Sequence, residues 1–172
     1  MARFTHPAND GSGISAVLPY HGSFYSLTDQ QALVASVTKA VMFEVTDLSY
    51  GVTMQNDDDG HKTKITFENA GVYNIAFSGQ LHHRGGGGAA QDVYMWFRKN
   101  NQDIPDSNTR VTVSTNSPYV VAAWNIFVSV NAGDYIQLVG HPDNVNIVLE
   151  SVPAAVDQPA IPSMILTVNQ VA

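Results

Sequence analysis

The chain contains no cysteine, so it forms neither disulfides nor thiolate metal sites. Charge is scarce: Asp, Glu, Lys and Arg make up 13% of the 172 residues, about half the usual share. No apolar run approaches a membrane span in length, and the first ten residues lack the apolar core of a signal peptide. The net charge of −7 argues against binding to nucleic acid or anionic membranes. We therefore expect a protein made in a cytoplasm, without nucleic-acid or membrane partners.

Short segments of alternating apolar and polar residues, separated by turn residues, predict an all-β sandwich. The most regular segment is 64–77, which predicts two strands joined in a hairpin by the turn at 69–71. Segment 27–42 contains helix formers, but its β-branched residues favour strand. Predicted strands cover 21–26, 32–37, 39–45, 50–54, 62–68, 72–81, 92–99, 109–114, 119–130, 134–140, 145–150 and 163–170.

Segments 93–97 and 120–130, which lie within two of the predicted strands, are apolar on both faces. A two-layer sandwich buries only one face of each sheet, so the second apolar face needs another cover. A subunit interface is the leading interpretation, and loops folded over the sheet are the alternative. Residues 1–19, which contain two prolines and two glycines, predict an extended arm that precedes a domain of residues 20–172.

Two segments carry a family resemblance. The pattern Phe67-x-x-x-Gly71-x-Tyr73-x-Ile75-x-Phe77 resembles the core signature of complement-type globular heads, which are tumour-necrosis-factor-like jelly rolls; Ile75 stands where an aromatic residue is usual. Residues 130–138, with their Gly-Asp turn and alternating strand, are similar to a later segment of the same group. Residues 20–25, 92–100 and 162–168 look like virion proteins of tailed bacteriophages.

The resemblance implies a jelly-roll sandwich of about ten antiparallel strands that assembles into compact trimers. Members meet at the threefold axis through aromatic and aliphatic strand faces. Collagen-like or coiled-coil stalks often precede such heads, and none is found in this sequence. We therefore expect a small protein that docks directly on a larger assembly. The residues expected at the trimer interface are Tyr94, Trp96, Trp124, Phe127 and Ile165.

Two clusters suggest binding chemistry. Asp57, Asp58 and Asp59 could bind calcium through carboxylate oxygens, but their spacing is not that of an EF-hand loop, and a solvated acidic turn is the simpler interpretation. His82-His83-Arg84 and the four following glycines could hold a metal or a phosphate. Adjacent strand residues point to opposite faces, however, and the lysine of a nucleotide loop is missing. A long mobile hairpin is the better interpretation, with a contact loop as an alternative.

No catalytic motif is present. Glu44, Glu68 and Glu150 are separated in sequence, and spacing alone does not exclude a sugar-cleaving pair. The aromatic side chains, including Tyr119, could stack on sugars, although strand aromatics are more often core or interface anchors. Arg110 is expected to pair with Asp103 or Asp106. We predict no enzyme activity, no cofactor and no metal.

These observations predict a non-enzymatic virion protein, assembled in the host cytoplasm, whose homotrimers decorate and cement the capsid. The partner would be the major capsid protein, and the arm would contact it through Arg3, Phe4 and Ile14. The alternative is a tail-fibre or adhesin head that recognises host-surface carbohydrate through apical loops such as 82–91 and 115–119. A secreted cellular lectin is a third possibility, weakened by the missing export signal.

Overall fold

The computed structural model describes residues 19–31, 35–85 and 88–172, and all regular structure within them is β. The predicted arm, with its three capsid-binding residues, therefore lies almost entirely outside the described residues. In chain order the strands are β1 His21–Ser26, β2 Gln30–Gln31, β3 Lys39–Ala40, β4 Val45–Tyr50, β5 Val52–Asn56, β6 Lys62–Phe67, β7 Gly71–His83, β8 Gln91–Lys99, β9 Gln102–Asp103, β10 Thr109–Val113, β11 Tyr119–Val130, β12 Tyr135–Pro142, β13 Ile147–Leu149 and β14 Met164–Gln170.

Two antiparallel sheets form the sandwich. Sheet A runs β11-β7-β14-β1-β4; β13 continues along β7 beyond β14, and β2 pairs with β13. Sheet B runs β10-β8-β12-β6-β5, with β3 beside β12 and β9 beside β8. Ten of the described strands have five or more residues. The all-β jelly-roll prediction is confirmed.

The core lies between the sheets and is built by alternation. In β7 the buried residues Tyr73, Ile75 and Phe77 are separated by half-buried ones, so one face of the strand looks inward. β6 likewise buries Ile65 and Phe67. The rings of Phe67 and Tyr73 meet with centroids 4.6 Å apart, and burying two large aromatic rings stabilises the sandwich.

The hairpin predicted for segment 64–77 is wrong, because its two strands belong to different sheets. β6 pairs with β5 and β12 in sheet B, whereas β7 pairs with β11, β13 and β14 in sheet A. The apolar faces of β6 and β7 look at each other across the core, while those of a hairpin would lie side by side. The turn therefore arches over the end of the sandwich, where the Tyr73 hydroxyl donates to the Asn69 carbonyl at 3.0 Å.

The first third of the chain departs most from the predicted strands. Of the expected strand 39–45, residues 39–40 form β3 and residue 45 begins β4, while residues 41–44 lie outside the strands. Residues 46–49 of β4 were not predicted. β4 is an edge strand whose residues from Thr46 onward are exposed, so it shows no apolar alternation. In the expected strand 32–37, residues 32–34 lie outside the described part, and 35–37 are turn and coil.

The two ends of the sandwich differ. Tyr20 and the C-terminal residues share one end, where the Gln170 amide donates to the Tyr20 carbonyl at 2.8 Å. At the opposite end, called apical here, β1 and β7 finish while β11 and β14 begin. The first described residues therefore lie at the end of the sandwich opposite the apical loops.

Candidate functional site

The outer face of sheet A, turned away from the core, is the most unusual surface of the described residues. Its outward side chains on β11, β7, β14 and β1 include no Asp, Glu, Lys or Arg, and the structure describes these four strands completely. This uncharged face consists of Tyr119, Val121, Ala123, Asn125, Phe127 and Ser129 on β11; Val72, Asn74, Ala76, Ser78, Gln80 and His82 on β7; Ile165, Thr167 and Asn169 on β14; and His21, Ser23 and Tyr25 on β1.

The strand register places these residues in rows across the sheet. One row contains Phe127, Asn74 and Asn169 as neighbours on adjacent strands. Asn125 lies in the next row, opposite Ala76. The Asn125 amide donates to the Asn74 side-chain oxygen at 2.8 Å. Apolar groups and neutral amides can enter an interface without the desolvation cost of ions.

The apolar part of the face is concentrated on β11. Tyr119 is 65%, Val121 58% and Phe127 66% exposed. Large apolar side chains that are exposed together on one strand indicate a contact surface. Among the described residues, β11 pairs only with β7, so its other backbone edge is also open.

The core side of β11 lies partly open along the same edge. Trp124 packs edge-on against Phe77 with ring centroids 4.3 Å apart, yet its indole Nε1 is buried without a hydrogen-bond partner. Val120 and Ile126 beside it are half-buried. A buried donor without an acceptor costs free energy, so Trp124 Nε1 is an unfavourable feature of the packing beside β11.

The structure separates the five residues predicted for the trimer interface. Phe127 and Ile165 share the uncharged face, and Trp124 points to the core side of the same sheet. Tyr94 and Trp96 lie on the outer face of sheet B, on the opposite side of the sandwich. The five residues therefore lie on three different surfaces of the sandwich.

The outer face of sheet B is charged, unlike that of sheet A. The Trp96 Nε1 donates to Asp103 Oδ1 at 2.7 Å and Arg98 Nε donates to the same oxygen at 2.9 Å. These bonds hold the pKa of Asp103 below its usual value. The expected pairing of Arg110 with Asp103 or Asp106 is wrong: its nearest carboxylate belongs to Asp92, at 3.8 Å. Arg110 lies directly opposite Tyr94 on the neighbouring strand, which brings Asp92 within reach.

A polar network closes the apical end of the uncharged face. His82 Nδ1 lies 2.8 Å from Glu150 Oε1, and Arg84 donates to Glu150 and to Asp29. Burial alone would raise the pKa of Glu150, but the hydrogen bonds from Arg84 and His82 outweigh it and lower that pKa. The pKa of Asp29 is lowered as well, because bonds from Arg84 and Ser151 outweigh its burial. These carboxylates are engaged in a structural network.

The network predicts an acid-sensitive contribution to stability. Both carboxyls have lowered folded-state pKa values. Their contribution to the free energy of unfolding is therefore fully present above the unfolded-state pKa of about 4. It is lost as the pH falls through their lowered folded-state pKa values. Arg84→Gln should cost about 1 kcal/mol near neutral pH, since partial exposure screens the pairs. That is a Tm decrease of about 2–4 °C.

Thermal denaturation at fixed protein concentration checks this expectation. The difference in Tm between Arg84→Gln and the unmodified protein should shrink towards zero near pH 2, where both carboxyls are protonated. Arg110→Gln is the control, because Arg110 is 63% exposed and 3.8 Å from its partner. An Arg84→Gln effect that is the same at both pH values would contradict the role of the carboxylates.

The other candidate sites are engaged in local structure. Asp57 accepts the backbone amides of Asp59 and His61 at 3.1 and 2.8 Å and so organises its turn. His82 points outward while His83 is buried at 4% exposure, so the pair is split as predicted. Within residues 19–31, 35–85 and 88–172, no three His, Asp or Glu side chains group as a metal site.

The three glutamates considered for sugar cleavage have different surroundings. Glu44 accepts hydrogen bonds from Ser26 Oγ at 3.0 Å and Thr28 Oγ1 at 2.6 Å, Glu150 belongs to the apical network, and Glu68 is exposed after β6. Of the loops named as candidate receptor contacts, 82–91 includes residues 86–87, which lie outside the described part. The described residues contain no helix long and apolar enough to span a membrane.

Comparison with known proteins identifies the fold. No family model and no curated protein matches the chain. Two crystal structures of murine APRIL, at pH 8.5 and pH 5.0, superpose with TM-scores of 0.55 and 0.57. Their sequence identities to the chain are 11% and 9%, and each alignment covers 90% of this chain and 100% of the other. The chain therefore has a tumour-necrosis-factor-like jelly-roll fold, which confirms the predicted resemblance at the level of the fold.

Proposed function

We propose that the chain forms a homotrimer through the uncharged face and that the trimer is a non-enzymatic structural protein of a tailed-phage virion. The observation that carries the proposal is the uncharged face itself, with Phe127 and Val121 exposed on its edge strand. A surface depleted in charge and containing exposed aromatics is typical of the centre of a protein–protein interface.

The fold and the open edge of β11 support an assembly of three subunits. Tumour-necrosis-factor-like jelly rolls are typically homotrimeric, and this is the fold of the chain. Among the described residues, the backbone edge of β11 that faces away from β7 has no strand partner. Packing of this edge on the uncharged face of the next copy would bury both surfaces, and threefold repetition would close the ring. Phe127 and Ile165 are the predicted residues that we retain for this interface.

Capsid decoration is supported by the sequence. Segments 20–25, 92–100 and 162–168 resemble tailed-phage virion proteins, and the low charge content suits a protein covered by neighbours. In the proposal each trimer sits where major capsid subunits meet, and residues 1–19 extend onto them through Arg3, Phe4 and Ile14. Assembly takes place in the host cytoplasm and needs no cofactor.

Two measurements test the proposed function. The purified protein should have three times the 18.6 kDa mass of the chain, and its copies per particle should scale with the number of major capsid subunits. A stable monomer would contradict the interface. A trimer present only at the tail, together with binding of the purified protein on a glycan array, would instead favour a host-recognition head.

A further inference from the structure

Strands β13 and β14 are two parts of one interrupted strand. They lie end to end along the same edge of β7, in the same direction. The Glu150 amide donates to the Gln80 carbonyl at 2.8 Å, and the Gln80 amide donates to the Ser163 carbonyl at 2.9 Å. One residue of β7 thus bonds to both sides of the interruption, and the chain between Glu150 and Ser163 is an insertion within the sheet.

The insertion forms a narrow hairpin, Val152–Ile161, called the insertion hairpin below. The Val152 amide donates to the Ile161 carbonyl at 2.9 Å, and the Ile161 amide donates back at 2.8 Å. Nearer the tip, the Ala155 amide donates to the Gln158 carbonyl at 3.0 Å. These paired bonds, with prolines at 153 and 159, restrict the backbone and reduce the entropy lost on contact.

Neighbouring segments occupy every side of the insertion hairpin except the outer side of sheet A. β7 fills the sheet on one side. Residues 26–31 fill the other, where the Ser163 amide donates to the Ser26 carbonyl at 2.9 Å and the Ser151 amide to Asp29 Oδ1 at 2.8 Å. On the inner side, Met164 is fully buried in the core. The hairpin therefore projects from the outer side of sheet A, and arms of about five residues reach roughly 15 Å.

The tip of the insertion hairpin is exposed, and its one large apolar side chain is Val156. Val156 is 101% exposed, and every residue from 153 to 159 is exposed. Asp157 is the hairpin's one charged residue, and the hairpin contains no aromatic, lysine or arginine for stacking on sugars or holding phosphates. An exposed valine at the end of a restricted hairpin is suited to packing against another protein surface.

We propose that the insertion hairpin is an inter-subunit clasp that packs against a second copy of this chain at the apical rim of the uncharged face. The proposal rests on the proposed trimer. It follows from continuity, because the hairpin rises from the same face and returns to it immediately before Ile165. A neighbour seated on that face would meet the hairpin, whose one charged residue is Asp157. The charges beside its base, on Arg84, Glu150 and Asp29, are paired with one another.

The absence of cysteine makes the test direct. Val156→Cys places a single thiol at the tip, and Gln55→Cys places one on exposed β5, at the far edge of sheet B, as the matched control. In the native trimer, maleimide should label position 156 at least about ten-fold more slowly than position 55, because burial blocks access to the thiol. Adding Phe127→Asp, which is designed to separate the subunits, should make the two rates equal.

The outcomes separate this proposal from the one on which it rests. Equal labelling rates at positions 156 and 55, in a protein whose mass is that of a trimer, would overturn the clasp and leave the trimer standing. An unmodified protein with the 18.6 kDa mass of one chain would overturn the trimer, and the clasp with it. Slow labelling at position 156 that persists in separated subunits would also overturn the clasp, because the tip would then be covered within its own chain.

Discussion

Replacing Phe127 by aspartate is expected to dissociate the trimer into monomers of 18.6 kDa. Phe127 lies on the edge strand of the uncharged face with 66% of its surface exposed, so the isolated chain loses little when it is changed. In the trimer the same substitution would bury three carboxylates, each without a basic partner on that face. The cost is several kcal/mol per subunit, which exceeds what the remaining contacts can supply. Light scattering with size separation measures the mass directly.

Tyr94→Asp is the matched control for this experiment. Tyr94 is also an aromatic residue on an outward strand face, but it lies on the charged side of the sandwich, beside Arg110. We expect this variant to remain trimeric. If Tyr94→Asp gave monomers and Phe127→Asp did not, the interface would lie on sheet B, and the predicted pair of Tyr94 and Trp96 would take the place of Phe127 and Ile165.

Deletion of residues 1–15 is expected to abolish attachment to capsids while leaving the trimer intact. The described strands, from His21 onward, build both sheets by pairing with one another. Attachment should therefore be lost without loss of fold. Co-sedimentation of the truncated protein with undecorated capsids measures attachment, and the circular dichroism spectrum reports the fold.

The comparison with full-length protein decides the role of the arm. A truncated trimer that saturated capsids at the same concentration as the full-length protein would show that the arm is dispensable. Phe4→Ala is a milder variant of the same design, and it should weaken attachment without changing the mass.

The sequence predicted the central strands well because their alternation comes from burial on one side. Tyr73, Ile75 and Phe77 repeat with period two, and the structure buries all three. The same pattern could not tell a hairpin from an arch between sheets, because both give alternation on either side of a turn. Edge strand β4 was missed for a related reason, since exposure on both faces removes the alternation.

The candidate site was predicted only in part. β8 and β11 are both apolar on two sides, so the sequence cannot distinguish the outer face of sheet A from that of sheet B. The partners of each strand decide the question. β11 pairs with β7, whose outward residues carry no charge, whereas β8 pairs with β10 and β9, which carry Arg110 and Asp103. The insertion hairpin was not predicted, although prolines at 153, 159 and 162, in a stretch with a single charge, were a usable signal.

The position of β14 has a consequence for how the chain folds. β14, the last of the described strands, lies in the middle of sheet A between β1 and β7, and it pairs with the first described strand, β1. Until it is in place, the early strands of this sheet have no shared partner and their edges stay open. Such non-local pairing is slow, and an incomplete sheet is prone to aggregate. A nascent chain of this protein can complete sheet A only after β14 has been synthesised.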